Sequence, residues 1–594
     1  MILKVLTEYY EALASLGKIT AIGWSKARVS FGLCLDEEGT LTDIYSLKAV
    51  PEGGKKELPV EMVVPEQVKK TSGVSSNFLC ENSAYLLGIG KDGKEERNRQ
   101  CFEAAKELHH KVLDSYKDDP DVSTVLNFFD RWDPLTAKDN EVLSYYLDEI
   151  LAGANMIFIA PDGVYMLDKA IVKEAWENYR NRGGEDAQSL GRCLVTGNQA
   201  PIARLHPSIK GIAGAQSSGA SLVSFNATAF ESYGHEQSDS TGQGLNSPVS
   251  ELAAFKYTTA LNHLISDKNH TQRLSDMTMV YWAEDAESGY QDAAKDMMFG
   301  DEDDISLEDL KEFAKKLRNG EAVPYERSIL KGDTRFYVLG ITPNAARLAV
   351  SFFRENSFSH MIDNLVKHYD DLDIVKPVFA ENQKITLWSL LYETVNKNSK
   401  DKKAPNPVIS ALLNSILEGT EYPAGLFESV MLRICAEHDI NWRKAAIIKA
   451  YLLRFYRRNK DKYEDMKEVL RVELNKDSDY LPYVLGREFA VLERIQQTAN
   501  PEVKATIKDR YFTSASATPG PIFAMLMKLS QHHMRKITYK RDRDDFDKSL
   551  TELESRIHEP VPARMNLQDQ GIFYLGYYHQ KQEYYKKEKG ENRE

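Results

Sequence analysis

One stretch without charge has the residue types of a surface that touches a polar ligand at short range. The twenty residues from Gly211 to Phe230 contain no Asp, Glu, Lys or Arg, whereas 28% of the whole chain is charged. Small residues let a backbone approach another molecule, and glycine permits the positive φ angles that turn successive N–H groups toward one point. Beside Gly214, the side chains of Gln216, Ser217 and Ser218 add neutral donors and acceptors. The pattern indicates a ligand-binding loop or, alternatively, a tight buried turn before a strand at Leu222 to Phe225.

A second small, polar loop precedes it in the chain, with two lysines at its head. Its candidate binding residues are Lys69, Lys70, Thr71, Ser72, Ser75, Ser76 and Asn77. Its residue types otherwise match those of the uncharged stretch.

Two basic helices are typical of contact with a phosphate backbone. The first, from Trp442 to Arg458, lies in a segment that has no acidic residue between Asn441 and Lys460. Its basic residues are Arg443, Lys444, Lys449, Arg454, Arg457 and Arg458, followed by Lys460. The last three of the helix share one face by their spacing, and interleaved aromatic residues suit stacked bases. The second basic strip comprises Lys528, His532, Arg535, Lys536, Lys540 and Arg541. The alternative for both is a solvated helix face or contact with an acidic partner domain.

Two motifs suggest catalysis, and each lacks part of its expected context. Ala215-Gln-Ser-Ser-Gly219 resembles a nucleophile elbow, in which Ser217 would use Asp239 and His263, but a strand and not a helix is predicted to follow it. Gly88-Ile-Gly-Lys-Asp-Gly93 matches the dinucleotide pattern G-x-G-x-x-G after a predicted strand, Ser83 to Ile89. Charged residues follow that match, where a nucleotide-binding helix would pack on its sheet. A serine hydrolase and a nucleotide-dependent enzyme therefore stay as alternatives.

Metal binding is not predicted, because the histidines lack the necessary companions. His438 and Asp439 form a single dipeptide, and His532 and His533 are adjacent on a predicted helix, so they point about 100° apart. We expect neither a metal nor a cofactor.

The composition predicts a folded, multidomain protein of the cytoplasm. The chain has 594 residues, a net charge of −13 and five cysteines without a Cys-x-x-Cys pair, which fits a reducing compartment. We expect no signal peptide and no membrane span, because Met1 to Ser15 is amphipathic and no apolar run approaches about 18 residues.

The hydrophobic periodicity predicts an α+β protein, mixed α/β at first and then an all-helical bundle. The last predicted strand is Phe336 to Gly340, and residues from Gln580 onward are predicted to fray. We expect domains at 1–345, 346–465 and 466–594.

Several stretches together resemble one family, the large subunit of the type I-C CRISPR Cascade surveillance complex. The resemblance covers essentially the whole chain and is carried by Thr71 to Gly88, Arg192 to Gly197, Pro201 to Pro207, Gly214 to Asn226, Phe230 to Gln237, Tyr511 to Thr518 and His532-His533. The segment Ser238 to Ser247 is longer than the family pattern, which affects only the detail of that loop.

The resemblance implies a non-catalytic part in RNA-guided antiviral defense. A guide RNA (crRNA) would read the target by base pairing, while this subunit reads a short flanking motif (PAM) on duplex DNA and promotes R-loop formation. A separate helicase-nuclease would then be recruited to cut. The implied partners are target DNA, the crRNA, and the backbone and small subunits of Cascade.

The same resemblance assigns roles to the loops and helices above. Lys69 to Asn77 and Gly214 to Ser218 would approach the PAM duplex, with Gln216 or Asn77 at a base edge or as a wedge. The two basic helices would hold the displaced strand or the heteroduplex backbone. The 466–594 region resembles the small subunit, and Met466 is a plausible start for a separately translated product.

Overall fold

The protein is described from a computed structural model. It describes residues 1–50, 56–67, 74–90, 94–182, 190–236, 238, 242–286, 289–300, 306–381, 383–400, 402–458 and 460–591. Contacts between residues divide the chain into two compact units. The first contains Met1–Pro207 and Val223–Leu261, and the second contains Ser208–Leu222 and Asn262–Glu594.

The first unit is built on a four-stranded mixed sheet with apolar inner strands. Its order is β3-β2-β6-β5, with β2 and β6 parallel and the outer pairs antiparallel. Two antiparallel pairs, β1 with β4 and β7 with β8, complete its strands. The strand bounds are β1 Trp24–Val29, β2 Phe31–Leu35, β3 Leu41–Ser46, β4 Val60–Pro65, β5 Cys80–Asn82, β6 Asn155–Ile159, β7 Leu190–Arg192 and β8 Gln199–Pro201.

Helices cover this sheet, and their buried aromatic rings fill its core. The rings of Phe128, Phe129 and Phe158 lie within 5.8 Å of one another, measured between centroids. Asp119 caps the helix that carries two of them by accepting the backbone N–H of Asp121. The helices of this unit are α1 Ile2–Ser15, α2 Ser83–Leu86, α3 Glu95–Leu113, α4 Pro120–Arg131, α5 Leu147–Leu151 and α6 Ala170–Arg182, together with α7 Glu251–Ser266 as far as Leu261.

The second unit joins an antiparallel sheet to a large helical region. The sheet order is β14-β13-β10-β9, and all seven residues of β10 are buried, as expected of an inner strand. A short antiparallel pair, β11 with β12, lies outside it. The bounds are β9 Thr271–Leu274, β10 Met277–Ala283, β11 Val323–Tyr325, β12 Ser328–Leu330, β13 Arg335–Asn344 and β14 Arg347–Ser357.

From Phe358 onward, every described regular element is a helix. Helices α8 Gly289–Phe299 and α9 Leu307–Arg318 precede this region. The others are α10 Phe358–Leu372, α11 Leu387–Tyr392, α12 Asn406–Glu418, α13 Ala424–Glu437, α14 Trp442–Tyr456, α15 Lys460–Val469, α16 Leu481–Ala499, α17 Ile507–Ala517, α18 Pro519–Met534, α19 Lys540–Glu554 and α20 Leu567–Glu591. Their buried side chains form one continuous core with the sheet.

Helix α20 lies in this core between α16 on one side and α13 and α14 on the other. Against α16 it packs backbone to backbone, because a Cβ at Gly486 would lie 2.0 Å from the Phe573 carbonyl oxygen. Its other face meets α13 and α14, where a Cβ at Gly571 would lie 3.1 Å from Phe427 and 3.2 Å from Ile448. Glycine is therefore required where α16 and α20 touch.

The predicted fold class is confirmed, with several differences in detail. Ser83–Leu86 is helical where a strand was predicted, and β14 is a strand that the sequence analysis missed. Leu222 to Phe225 forms no strand. Helix α20 continues past Gln580, which is 9% exposed, so the predicted fraying does not begin there. The domain boundaries stay predictions, although β13 and β14 pair across residue 345.

Candidate nucleic-acid interface

The uncharged loop of the second unit stands on a fixed base. Ile209 and Ala220 exchange two backbone hydrogen bonds of 2.8 and 2.9 Å, which close the loop between them. Ser221 then donates its N–H to Ala346 and accepts one from Leu348, at the turn between β13 and β14. Gly219 has a φ of +97°, and a Cβ there would lie 2.9 Å from the Ile209 carbonyl oxygen. The base of the loop therefore requires glycine and holds the tip in one place.

The tip of this loop is exposed and neutral. Gly214, Gln216, Ser217 and Ser218 are all exposed, whereas Ile212 is only 6% exposed. The Gly219 N–H donates to the Gln216 carbonyl oxygen at 2.9 Å, which makes a turn of the four residues. The alternative prediction, a buried turn before a strand, is therefore wrong. A tip of this kind offers amide, hydroxyl and backbone groups to a ligand without any net charge.

The earlier polar loop is described only in part. Lys69, Lys70, Thr71 and Ser72 lie outside the described residues, and Ser75 is exposed. Ser76 is 8% and Asn77 6% exposed.

Asn77 faces the interior of the first unit. Its Nδ2 donates to Glu81 Oε1 at 2.9 Å and to Gln67 Oε1 at 3.0 Å, and its backbone N–H also donates to Glu81. Glu81 is 3% exposed, so Asn77 compensates a buried carboxylate. The expectation that Asn77 reaches a base edge needs correction for this reason, and Gln216 is the better placed of the two.

Helix α14 is a core helix and not the exposed basic helix that the sequence suggested. Twelve of its fifteen residues are buried. Lys444 pairs with the Glu437 carboxylate and Lys449 donates to the Asp371 carbonyl oxygen at 2.9 Å. Burial lowers the pKa of Lys449 to about 8, against the opposing effect of the Asp371 carboxylate.

Arg454 also acts inside the protein. It is 2% exposed, its Nε donates to Asp371 Oδ2 at 2.8 Å, and its guanidinium lies 4.2 Å from the Tyr422 ring centroid. Arg457 donates to the same carboxylate at 2.7 Å, and Arg458 pairs with Glu421 at 2.9 Å. A buried arginine without such partners would be costly. The predicted common face is therefore corrected: Arg454 is buried on Asp371, Arg457 is exposed but shares that carboxylate, and Arg458 forms a separate surface ion pair with Glu421.

Arg443 is half-buried at the start of α14. Its Nη2 donates to Gln383 Oε1 at 3.2 Å, and its guanidinium lies 4.7 Å from the Trp442 ring centroid. The side chain of Lys460 lies outside the described residues.

The second basic strip is exposed. Lys528 and His532 lie on α18, and Arg535 and Lys536 follow its end. The spacing of four residues places Lys528 and His532 on one face of α18. No carboxylate of the described residues forms an ion pair with Lys528, Arg535 or Lys536. This strip, unlike α14, presents its charges to solvent.

The two catalytic motifs do not have the structural context that each requires. Ser217 lies in a turn that is followed by Ala220 and extended chain, not by a helix. Asp239 lies outside the described residues, and His263 lies on α7. Before Gly88 comes helix α2 and not a strand, and the second half of that motif is not described. Among the described residues, no three His, Cys, Asp or Glu side chains cluster as a metal site would require.

The sequence analysis missed one basic and aromatic segment, Lys376 to Lys403. It contains six lysines, three acidic residues and three aromatic residues, and this composition was the available signal.

One comparison with known proteins supports the coarser part of the family resemblance, that of a CRISPR-associated protein. No curated protein matches the chain. None of the described helices combines the length and apolar character needed to cross a bilayer. A family model described as CRISPR-associated protein (Cas_Csd1) matches residues 6–585. The match spans nearly the whole sequence, so the chain belongs to this family of CRISPR-associated proteins, and it supports the expectation of a Cascade-type protein.

Proposed function

We propose that the chain is the large, non-catalytic subunit of a type I-C Cascade. In this role it recognises the PAM duplex, promotes unwinding of the target, stabilises the displaced strand and helps to recruit a separate helicase-nuclease. The membership of the family supports the general class, and the finer assignment rests on the resemblance of the Gly214 to Asn226 run. The partners in this role are target DNA, the crRNA and the other Cascade subunits.

The observation that carries the proposal is the exposed, neutral tip at Gly214 to Ser218. A charged loop would bind any phosphate, whereas neutral donors favour a specific approach to base edges or backbone oxygens. The minor groove presents acceptors at every base pair and an extra donor only at G·C. The Gln216 amide can both donate and accept there, and the fixed base limits the entropy lost on binding.

The exposed strip on α18 is the second part of the proposed DNA surface. Lys528, Arg535 and Lys536 lack ion-pair partners among the described residues, so their charges are available to phosphates. Replacing all three with glutamate should weaken DNA binding across sequences and reduce the steepness of its salt dependence by about 2 to 3. An unchanged salt slope would remove this strip from the proposal.

The test of the proposal is the effect of Gln216→Ala on PAM preference. The assembled complex is titrated with target duplexes that carry matched or altered flanking motifs. A lost base-edge contact should reduce discrimination by about 1–3 kcal/mol, or about 5- to 150-fold in relative affinity. The exposed Gln100 on α3 offers a control, Gln100→Ala, which should leave discrimination unchanged. If the wild-type complex binds duplexes with all flanking motifs equally tightly, the proposed function is wrong.

We also propose that a separate C-terminal product begins near Met466. Met466 lies within α15 and is 5% exposed, and α16 to α20 follow it as a packed group. N-terminal sequencing of the small species that copurify with the complex tests this. A complex that contains no fragment starting near Met466 would refute it.

A further inference from the structure

The segment from Lys376 to Lys403 is locally basic in an acidic chain. It has six lysines against three acidic residues, whereas the whole protein has a net charge of −13. Of the three acids, Glu393 is 2% exposed and accepts a hydrogen bond of 3.0 Å from Asn441. Its charge is thus directed into the protein and away from solvent.

Helix α11 presents two aromatic side chains on the outer face of this segment. Leu387, Leu390 and Leu391 are buried, and Thr386 caps the helix by accepting the Ser389 N–H. Trp388 and Tyr392 are exposed, by 45% and 44%. Their separation of four residues places them on one side of the helix, about 6 Å apart along its axis.

A third aromatic residue precedes the helix. Phe379 is 80% exposed on a short turn. Lys376 Nζ donates to the Gln383 carbonyl oxygen at 2.6 Å, which ties the ends of this turn together. Gln383 is also the acceptor of Arg443, so the turn is attached to the start of α14.

The lysines lie directly after the aromatic face. Lys397 Nζ is 5.4 Å from the Tyr392 ring centroid and 3.5 Å from Glu393. Lys400, Lys402 and Lys403 are exposed, and only Lys403 among these three has an ion pair in the described structure, with the half-exposed Asp276. One ammonium group, that of Lys397, therefore lies beside the Tyr392 ring, and three exposed lysines follow it in the chain.

We propose that this surface, the α11 platform (Trp388, Tyr392, Lys397, Lys400, Lys402 and Lys403), binds single-stranded nucleic acid. Aromatic faces stack on bases of any sequence, and lysines neutralise the phosphates that connect them. The two residues are one helical turn apart on the same side of α11, so the two rings can each take a base of one strand. Bases within a duplex are already stacked, so the rings select a single strand. The inference rests on the proposed function and deepens it, because it assigns a site for a displaced strand.

Exposed aromatic residues also occur where proteins dock, and an acidic protein would suit the same lysines. A nucleic acid is favoured because it supplies both complements, flat bases for the rings and regularly spaced phosphates for the lysines. The test is designed to separate these occupants.

The first experiment compares bases with phosphates. The full-length chain is titrated with a fluorescein-labelled fifteen-nucleotide dT strand and with an abasic strand of the same length. Trp388→Ala with Tyr392→Ala should weaken dT binding at least tenfold and leave abasic binding within twofold. Trp388→Phe with Tyr392→Phe should restore most of the dT affinity, because phenylalanine can still stack.

The second experiment tests the lysines without disturbing the fold. Lys400→Glu, Lys402→Glu and Lys403→Glu together should lower the salt slope of dT binding by about 2, from about 0.7 for each phosphate contact. A control variant reverses Lys268, Lys315 and Lys331, which are exposed lysines on other elements of the same unit. This control changes the net charge by the same amount. Its three lysines lie outside the α11 platform, so it should lower the salt slope far less.

Several results would overturn the proposal. The first is that the variant with Trp388→Ala and Tyr392→Ala binds dT as tightly as the wild type does. The second is that this variant loses affinity for the dT and abasic strands equally, with no change in its melting temperature. If the alanine pair melts at a lower temperature, the lysine variants decide, and equal slopes for the platform and control variants refute it. A wild-type chain that does not bind dT in low salt also refutes it and favours an acidic protein. None of these results alters PAM discrimination, which the Gln216→Ala variant measures separately.

Discussion

Glu488 on α16 makes the stability of the helical region dependent on pH. It is 3% exposed, and burial raises its pKa to about 8, with a smaller contribution from the carboxylate of Glu554. At neutral pH the folded protein holds a proton on Glu488 that the unfolded chain has released. Folding therefore takes up a proton between the ordinary pKa of 4.5 and about 8. The free energy of unfolding must fall as the pH rises through this range and level off above it.

Replacing Glu488 by glutamine removes this penalty and keeps the shape of the side chain. At pH 7 the difference from the ordinary pKa is about 2.5 units, which at 1.36 kcal/mol per unit corresponds to about 3 kcal/mol. Glu488→Gln should therefore raise the free energy of unfolding by about 3 kcal/mol at pH 7. The advantage should grow by about 1.4 kcal/mol for each pH unit between 6 and 8 and then stay constant.

Urea unfolding of the full-length chain, followed by circular dichroism at 222 nm between pH 6 and pH 9, measures this difference. Glu502→Gln changes an exposed glutamate just after α16 and serves as the control. A plot of its free energy of unfolding against pH should run parallel to that of the wild type. If the Glu488→Gln curve is also parallel, or if this variant is less stable at every pH, the assignment of a proton to buried Glu488 is wrong.

Three further substitutions, one of them with a matched control, test the packing and the alternatives. Gly486→Ala should lower the free energy of unfolding by about 1–3 kcal/mol through overpacking. Gly425→Ala is the control, because a Cβ there would have its nearest contact at 3.7 Å, and it should change the free energy of unfolding by less than about 0.5 kcal/mol. The urea midpoints of the two variants are compared. Asp371→Asn deprives buried Arg454 of its counter-charge and should cost about 3–5 kcal/mol, so weaker DNA binding at unchanged stability would contradict the structural role. Ser217→Ala should weaken DNA binding by only about 0.5–1.5 kcal/mol, whereas abolition of an esterase activity would favour the hydrolase alternative.

The features that the sequence predicted well depend on local patterns. The absence of charge around Gln216 is visible in the sequence itself, and the structure places that side chain in solvent. The helical second half follows from the 3.6-residue periodicity of its apolar positions. The short element at Ser83 could not be assigned in this way, because a run of four to seven apolar residues fits a strand or a helix equally. There the Asn82 side chain decides, by capping the helix through the Ala84 N–H.

The basic residues of α14 show what local patterns cannot predict. The partner of Arg454 is Asp371, 83 residues earlier in the chain, and no spacing rule connects them. Composition revealed that α14 is basic, but only the fold determines whether a charge faces solvent or a buried carboxylate. The burial of Asn77 was not predictable for a similar reason. Its partner Glu81 is close in sequence, but Glu81 is itself buried by the surrounding sheet.

The placement of α20 has a consequence for any shorter product of the same gene. In the full chain, its Gly571 side is covered by Phe427 and Ile448, and the Tyr578 hydroxyl donates to the Val375 carbonyl oxygen at 2.6 Å. Those three covering residues all precede Met466. A polypeptide that starts there would leave this apolar stripe uncovered in water, so it should self-associate or attach to another chain. The shorter product would then bind other chains through a surface that the longer chain buries in its core. No new binding surface would have to evolve.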